Sequence, residues 1–289
     1  MNATPLPPET RMGQVALTVA DLSRSLAYYQ EQIGLRLLDR EGDTAVLGTA
    51  QRPLLRLQEQ LGARPSRGVT GLYHFALLLP SRLALAQTLY HFIQHQTPIS
   101  GASDHAVSEA LYLTDPDGHG IEIYRDRPRS EWPSVGGRLA MTTEPFDVDG
   151  VLGELSAETA VWSHLPAATT MGHVHLHISR MAPTIEFYVD QLGFDMIVQM
   201  GGSASFVAAG GYHHHLGLNT WAGVGAPPPA PDQARLLWYE ILLPDETAVD
   251  LLAARLAAAD VPVGRNGRDL HLQDPSANHL IIRSDQTPQ

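Results

Sequence analysis

Fourteen histidines in a chain without cysteine set the chemical options. Without thiols there is no disulfide, no iron–sulfur cluster, no thiolate zinc site and no cysteine nucleophile. Imidazole nitrogen and carboxylate oxygen are left for metal or acid–base work. Glu122 lies in an apolar stretch with Ile121, Ile123 and Tyr124. A carboxylate buried there without a partner is costly, so a cation is its natural company; the alternative is a solvent-facing Glu on an edge strand. Tyr212-His213-His214-His215 puts three imidazoles in succession. On a strand, His213 and His215 share one face and His214 takes the other. The plain alternative is a surface metal-scavenging tract. His91, His95, His164 and His271 have no motif around them.

The elements that must position these groups follow from the rest of the chain. Its 289 residues are enough for two domains, and 44% hydrophobic with 17% charged residues is a globular composition, neither disordered nor coiled-coil. A formal charge of −12 disfavours nucleic acid and anionic membrane as partners. Met1 to Arg11 lacks the apolar core of a signal peptide, and no apolar run is long enough to span a membrane. The expected compartment is the cytoplasm.

An internal repeat organises the chain. Met12-Gly13-Gln14-Val15 recurs as Met171-Gly172-His173-Val174 at an offset of 159, and Tyr29 and Gly34 recur as Tyr188 and Gly193. The stretch Asp21 to Ile33 has helical spacing and Gly34 is placed to end it. A second repeat is interleaved: Tyr73 to Pro80 is similar to Leu237 to Pro244. Each copy is followed by a helical pattern, Ser81 to His95 or Asp245 to Ala259, and by an Asp-Pro turn, Asp115-Pro116 or Asp274-Pro275. The fold expected is α+β: four βαβββ modules, with modules one and two in 10–127, a connector at 128–170 carrying a short helix near Val148 to Leu155, and modules three and four in 171–286.

Four such units resemble the vicinal oxygen chelate superfamily, which includes glyoxalase I, the fosfomycin- and bleomycin-resistance proteins and the extradiol dioxygenases. The resemblance implies cupped mixed sheets, each made by two modules, with a divalent metal held between first and last strands. At the first-strand position the four modules carry Gln14, His74, His173 and Trp238; at the last-strand acid position module two has Glu122 and module four Ile281. The resemblance therefore implies His74, Glu122 and His173 as metal ligands, a two-histidine, one-carboxylate facial set with open positions. Those ligands fall in modules two and three, so two is expected to pair with three, and one with four.

From His105 the chain runs through Leu111-Tyr112 and Asp115-Pro116-Asp117-Gly118 to Glu122. This is similar to the extradiol dioxygenase signature, with Ser103 where the family has a different small or β-branched residue. The match is to the catechol 2,3-dioxygenase-like branch. It implies an enzyme that opens an aromatic diol beside its hydroxyls with O2, using Fe(II), with Mn(II) accommodated by the same ligands. His105 and Tyr112 would orient substrate, and His214 would be the acid–base group, with its neighbours His213 and His215 open for that role. Arg125 and Arg127 are candidates for steering an anionic substrate. Two rivals share the cup: a glyoxalase-like metal-dependent isomerase or lyase, and a non-catalytic aromatic-binding protein. The ring substituents and the oligomeric state, a homo-oligomer included, stay open.

Overall fold

The computed structural model describes residues 4–285, so the expected module end at 286 lies outside the described residues. The strands gather into two eight-stranded sheets. The first runs, in spatial order, Gly264–Asn266, Asp269–Gln273, His279–Ser284, Leu236–Leu243, Arg11–Val19, Pro53–Glu59, Thr44–Gly48 and Arg36–Glu41. The second runs Asp195–Met200, Ala204–Ala208, Leu216–Asn219, Thr170–His177, Gly71–Leu79, Gly120–Asp126, Ser108–Thr114 and Gly101–Asp104. Modules two and three thus build one sheet and modules one and four the other, as the distribution of ligands required. In both sheets the two modules meet at an antiparallel pair of first strands, Thr170–His177 with Gly71–Leu79 and Arg11–Val19 with Leu236–Leu243.

Alternation assigns the faces. Phe75, Leu77, Ile121, Ile123, Val174 and Leu176 belong to an apolar core shared by both sheets. The intervening residues carry the chemistry, and Ala76, Ala110 and Tyr124 form a separate small cluster with Tyr112 beside it. Helices Arg82–Gln94 and Glu246–Ala258 contact the strands of their own modules. Each starts one residue inside the sequence expectation, because Ser81 and Asp245 are N-caps that accept the N–H three residues on. The helix expected over Asp21 to Ile33 is α-helical only over Leu22–Ala27 and widens to a π-turn at Tyr28–Ile33. Module three repeats this with Met181–Ile185 and Glu186–Gln191. Each widened turn carries a buried tyrosine that donates to the aspartate of the following module's Asp-Pro turn: Tyr29 to Asp115 at 2.8 Å and Tyr188 to Asp274 at 3.0 Å. Consecutive modules are therefore hydrogen-bonded to each other although they enter different sheets. In the connector, the short helix is Val148–Leu152.

Candidate metal centre

The cup of the second sheet is built by neighbouring strands whose register puts side chains in rows. His175 pairs with His74, and His74 with Gly120. One step along, His173 pairs with Ala76, Ala76 with Glu122 and Glu122 with Tyr112. Between Met171 and His173 the strand carries one extra residue, Gly172, opposite the regular partner. A β-carbon there would lie 1.9 Å from the Tyr124 hydroxyl, so only glycine lets that phenol pass under the strand. A second irregularity inserts Tyr73 between the pairs His175–His74 and Leu176–Leu72. The bulge brings consecutive residues to one side: the Tyr73 ring sits 5.0 Å from His74 and 5.1 Å from His175.

His74, Glu122 and His173 converge. His74 Nε2 and His173 Nε2 are 3.3 Å apart, and each is 3.0 Å from Glu122 Oε2. All three side chains are buried. Three donors at mutually right angles around an ion, each about 2.1 Å from it, would be about 3.0 Å from one another. The observed spacing is therefore that of three ligands sharing one face of an octahedron, and the donor chemistry fits a divalent metal with the opposite face open. Burial alone would push the Glu122 carboxyl up, but His173 and His74 override it and hold the group well below its usual range. Burial lowers His173 despite that carboxylate. The neutral-imidazole, ionised-carboxylate state is the one that binds a cation.

His105 and Tyr112 stand beside this cluster, with His105 Nε2 2.7 Å from the Tyr112 hydroxyl. His105 Nδ1 lies 2.8 Å from the Thr142 carbonyl, which can only accept, so Nδ1 donates and Nε2 is left to accept a hydrogen bond from the tyrosine hydroxyl. Tyr112 is raised by burial and then by Glu122, which keeps its hydroxyl protonated as a donor. A cavity of about 520 Å³ opens next to them, lined in part by Tyr73, His74, Tyr112, Thr114, Gly120 and His177.

The histidine tract departs from the strand reading. Tyr212 to His215 form an irregular turn, and the strand proper is Leu216–Asn219. Strict alternation therefore does not hold there: His213 Nδ1 and His214 Nδ1 face each other at 2.8 Å. The His214 ring packs 4.0 Å from that of His173, while His215 turns away to accept the Ala209 N–H. His213 Nε2 reaches Asp126 at 2.8 Å. A carboxylate accepts, so His213 donates from Nε2, its Nδ1 accepts from His214, and His214 keeps a bare Nε2. Burial, then the neighbouring His173 and His213, push His214 well below the ordinary histidine range.

Sequence reasoning missed several neighbours. Asp126, outside every motif, anchors His213. Arg125 and Arg127 are not free to steer substrate: Arg125 Nε donates to the buried Glu109 at 2.6 Å, and Arg82 and Arg127 share the same carboxylate. A guanidinium satisfied internally has little left for a ligand. His175 and His177 were legible, since His173-Val174-His175-Leu176-His177 places three imidazoles on one strand face by simple alternation. Thr142 and Trp132, both in the connector, touch His105 and His213 with no local signal to announce it.

Residues 11–123 match the model of the Glyoxalase/Bleomycin resistance protein/Dioxygenase superfamily. Over 280 residues the chain is 44% identical to the catechol-2,3-dioxygenase of Bacillus subtilis (strain 168), covering 94% of this chain and 96% of that one. The chain belongs to the glyoxalase/bleomycin resistance/dioxygenase superfamily. Solved structures agree on the fold at low identity. A dioxygenase candidate from Bacillus subtilis subsp. subtilis str. 168 superposes with a TM-score of 0.63 at 12% identity, covering 98% of this chain and 87% of that one. Glyoxalase I from Zea mays does so with a TM-score of 0.56 at 16% identity, covering 95% and 92%. Among the described residues of this superfamily member no helix is long and apolar enough to cross a membrane.

Proposed function

We propose that this protein is an extradiol dioxygenase, opening a catechol-type aromatic diol with O2 at an Fe(II) or Mn(II) centre held by His74, Glu122 and His173. The observation that carries the reading is the convergence of those three donors within 3.0–3.3 Å in a buried cup, in a chain 44% identical to a catechol-2,3-dioxygenase over nearly its full length. When bound, the ion would supply open positions for the diol and for O2 and a path for electrons from the diol to O2. The protein's own groups do the rest. His214 Nε2, bare and set beside His173, takes a phenolic proton and returns it later. His213 and Asp126 hold His214 in the tautomer that leaves Nε2 free. The Tyr112 hydroxyl is the hydrogen-bond donor for substrate oxygen where charge develops, and His105 Nε2, which accepts from it, holds that hydroxyl in place.

The test is anaerobic reconstitution with Fe(II), followed by catechol and air. Stoichiometric O2 uptake with a yellow ring-opened product is expected. Iron binding without O2 uptake, across a panel of substituted catechols, would overturn the reading.

A further inference from the structure

The sheet that lacks the metal ligands keeps a hollow at the place matching the site. A cavity of about 580 Å³ opens on it, against about 520 Å³ for the cavity beside the triad. The two walls correspond strand for strand. Leu237, Trp238, His271, Gln273 and His279 line the second cavity where Tyr73, His74, Tyr112, Thr114 and Gly120 line the first. Trp238 and His279 are bulkier than the His74 and Gly120 they match, yet the cavity is no smaller. The hollow is therefore a property of the cup rather than of its ligands.

What the second wall offers is different. Leu236 and Tyr239 belong to the core, and the strand irregularity between them leaves Leu237 and Trp238 together on the cup side, with Arg235 next by alternation. Leu237, Trp238 and Ile281 are each half-buried and give the cavity an apolar wall. Trp132, Trp162 and Trp221 each pack against another ring, whereas Trp238 has no ring neighbour among the described residues, so its indole is free to receive one. The titratable groups of the wall are Arg235, His271 and His279. No aspartate or glutamate lines it, although the chain has 31 of them against 19 Lys and Arg. Arg235 donates from Nη1 to the Pro231 carbonyl at 2.8 Å, the Gln233 carbonyl at 3.1 Å and Gln60 Oε1 at 3.3 Å. No carboxylate pairs with it among the described residues. An apolar cavity with one guanidinium left unbalanced suits a ligand with a flat apolar body and a negative end.

We infer that this second cup is a metal-independent binding site for a planar aromatic carboxylate, whose ring lies against the Trp238 indole and whose carboxylate meets Arg235. The site uses none of the triad and does not rest on the ring-cleavage reading. Arg235 also borders the triad's cavity, so the test has to separate the two cups.

The experiment is calorimetric titration of benzoate, with benzyl alcohol as the uncharged probe, into wild type with and without Fe(II), Trp238→Ala, Trp238→Leu, Arg235→Gln and Tyr73→Ala. Trp238→Leu keeps apolar volume and loses the flat face, so it carries the test if Trp238→Ala does not fold. Benzoate should bind wild type equally with and without Fe(II). Binding should be at least about 10-fold weaker in both Trp238 variants, and unchanged in Tyr73→Ala, whose ring lines the triad's cavity and not this one. Arg235→Gln should lose the preference for benzoate over benzyl alcohol. Benzoate bound as tightly by Trp238→Leu as by wild type would overturn the inference. So would binding that requires Fe(II) or is lost in Tyr73→Ala, either of which puts the probe beside the triad. A preference for benzoate left intact in Arg235→Gln, or no benzoate binding by wild type at millimolar concentration, would overturn it as well.

Discussion

The two sheets of this protein have the same strand order, the same two bulges and opposite chemistry. Where the site sheet has the cross-strand pair His175–His74, the other has Ala16–Trp238. Where the site sheet has His173, Ala76 and Glu122, the other has Gln14, Glu240 and Ile281. In the other sheet the carboxylate has moved one strand inward, and it is not short of partners. Glu240 Oε2 accepts the Gln14 N–H at 2.9 Å and Oε1 accepts from Arg283 at 3.0 Å, while Arg283 also pairs with Asp269 at 2.7 Å. The matching positions in the site sheet are Ala76, Tyr124 and Ala110, which offer Glu122 no guanidinium. A carboxylate closed by a guanidinium has no use for an added ion. A buried carboxylate facing two buried imidazoles, with no guanidinium to close it, has every use for one. The backbone of this fold is thus neutral about chemistry, and about six side chains decide it.

The sharpest way to break that contrast is to remove a ligand. Glu122→Ala and His74→Ala should each lose stoichiometric iron, and with it turnover, while far-UV circular dichroism and the unfolding transition persist. Ile281→Ala, at the matching place in the other sheet, should keep both metal and activity. Elemental analysis of the three variants decides it; iron retained by Glu122→Ala at normal affinity would dismantle the triad. Next in size is His214→Ala, expected to keep iron and catechol binding and to slow turnover by about 10²–10⁴-fold. Asp126→Asn should slow it less, because His213 then loses the charged acceptor that fixes the tautomer of its neighbour but not the neighbour itself. Turnover collapsing in His215→Ala instead would move the acid–base role by one residue.

The contrast was only partly legible beforehand. The repeat followed from residue types at matched positions, and the resemblance to the superfamily put His74, Glu122 and His173 at its ligand positions and so implied the module pairing; strand alternation and register carry such positions directly from sequence to space. What alternation cannot carry is a bulge. Tyr73 and His74, adjacent in sequence, share one side only because the strand gains a residue there. Nor can it carry pairing across long separations: His213 finds Asp126 87 residues away, and His105 finds Thr142 in the connector. Glu240 has no such signal either: Trp238 and Ile281 mark its module as empty of ligands, and its partner Arg283 is 43 residues distant.

The sheets should also differ in how acid affects them. His215 titrates at about 3 in the folded chain against 6.5 for an ordinary histidine, burial being the main cause. Between those values the unfolded chain holds a proton that the native state does not, so the stability associated with His215 is complete above about 6.5 and is lost as pH falls. By pH 5 the loss is about 2 kcal/mol from this residue alone. His214 and His175 are lowered too, also mainly by burial, and add to it. Glu240 acts with the opposite sign. Burial raises its pKa in spite of the Gln14 N–H and Arg283, so its contribution is present at low pH and declines as pH rises through that raised value. Urea midpoints of metal-free protein between pH 7.5 and 5 should therefore fall with acid, and fall more steeply in Glu240→Gln, where the opposing group is gone. A midpoint independent of pH over that range would refute the lowered titration of His215, His214 and His175.

The smallest effect tests whether the two halves are equivalent away from the chemistry. Tyr29 donates to Asp115 and Tyr188 to Asp274, two buried hydrogen bonds at matching places. Each aspartate uses its other oxygen to accept two backbone N–H groups of its turn: Asp117 and His119 in one, Ser276 and Asn278 in the other. Tyr29→Phe should cost about 1 kcal/mol, the usual net worth of a hydrogen bond, and Tyr188→Phe more, because it also takes the partner of the buried Tyr239 hydroxyl 2.6 Å away. Their effects on the metal should not be equal. The Asp115 turn leads directly into the strand Gly120–Asp126 that carries Glu122, whereas the Asp274 turn leads into the strand that carries Ile281. Tyr29→Phe should weaken iron binding by a few-fold, the lower end of what supporting groups contribute, and Tyr188→Phe should leave it unchanged. Equal metal affinity in the two variants would mean that the strand register alone, through the pairs Ala76–Glu122 and Glu122–Tyr112, fixes the carboxylate, and that the turn hydrogen bond serves only to join one module to the next.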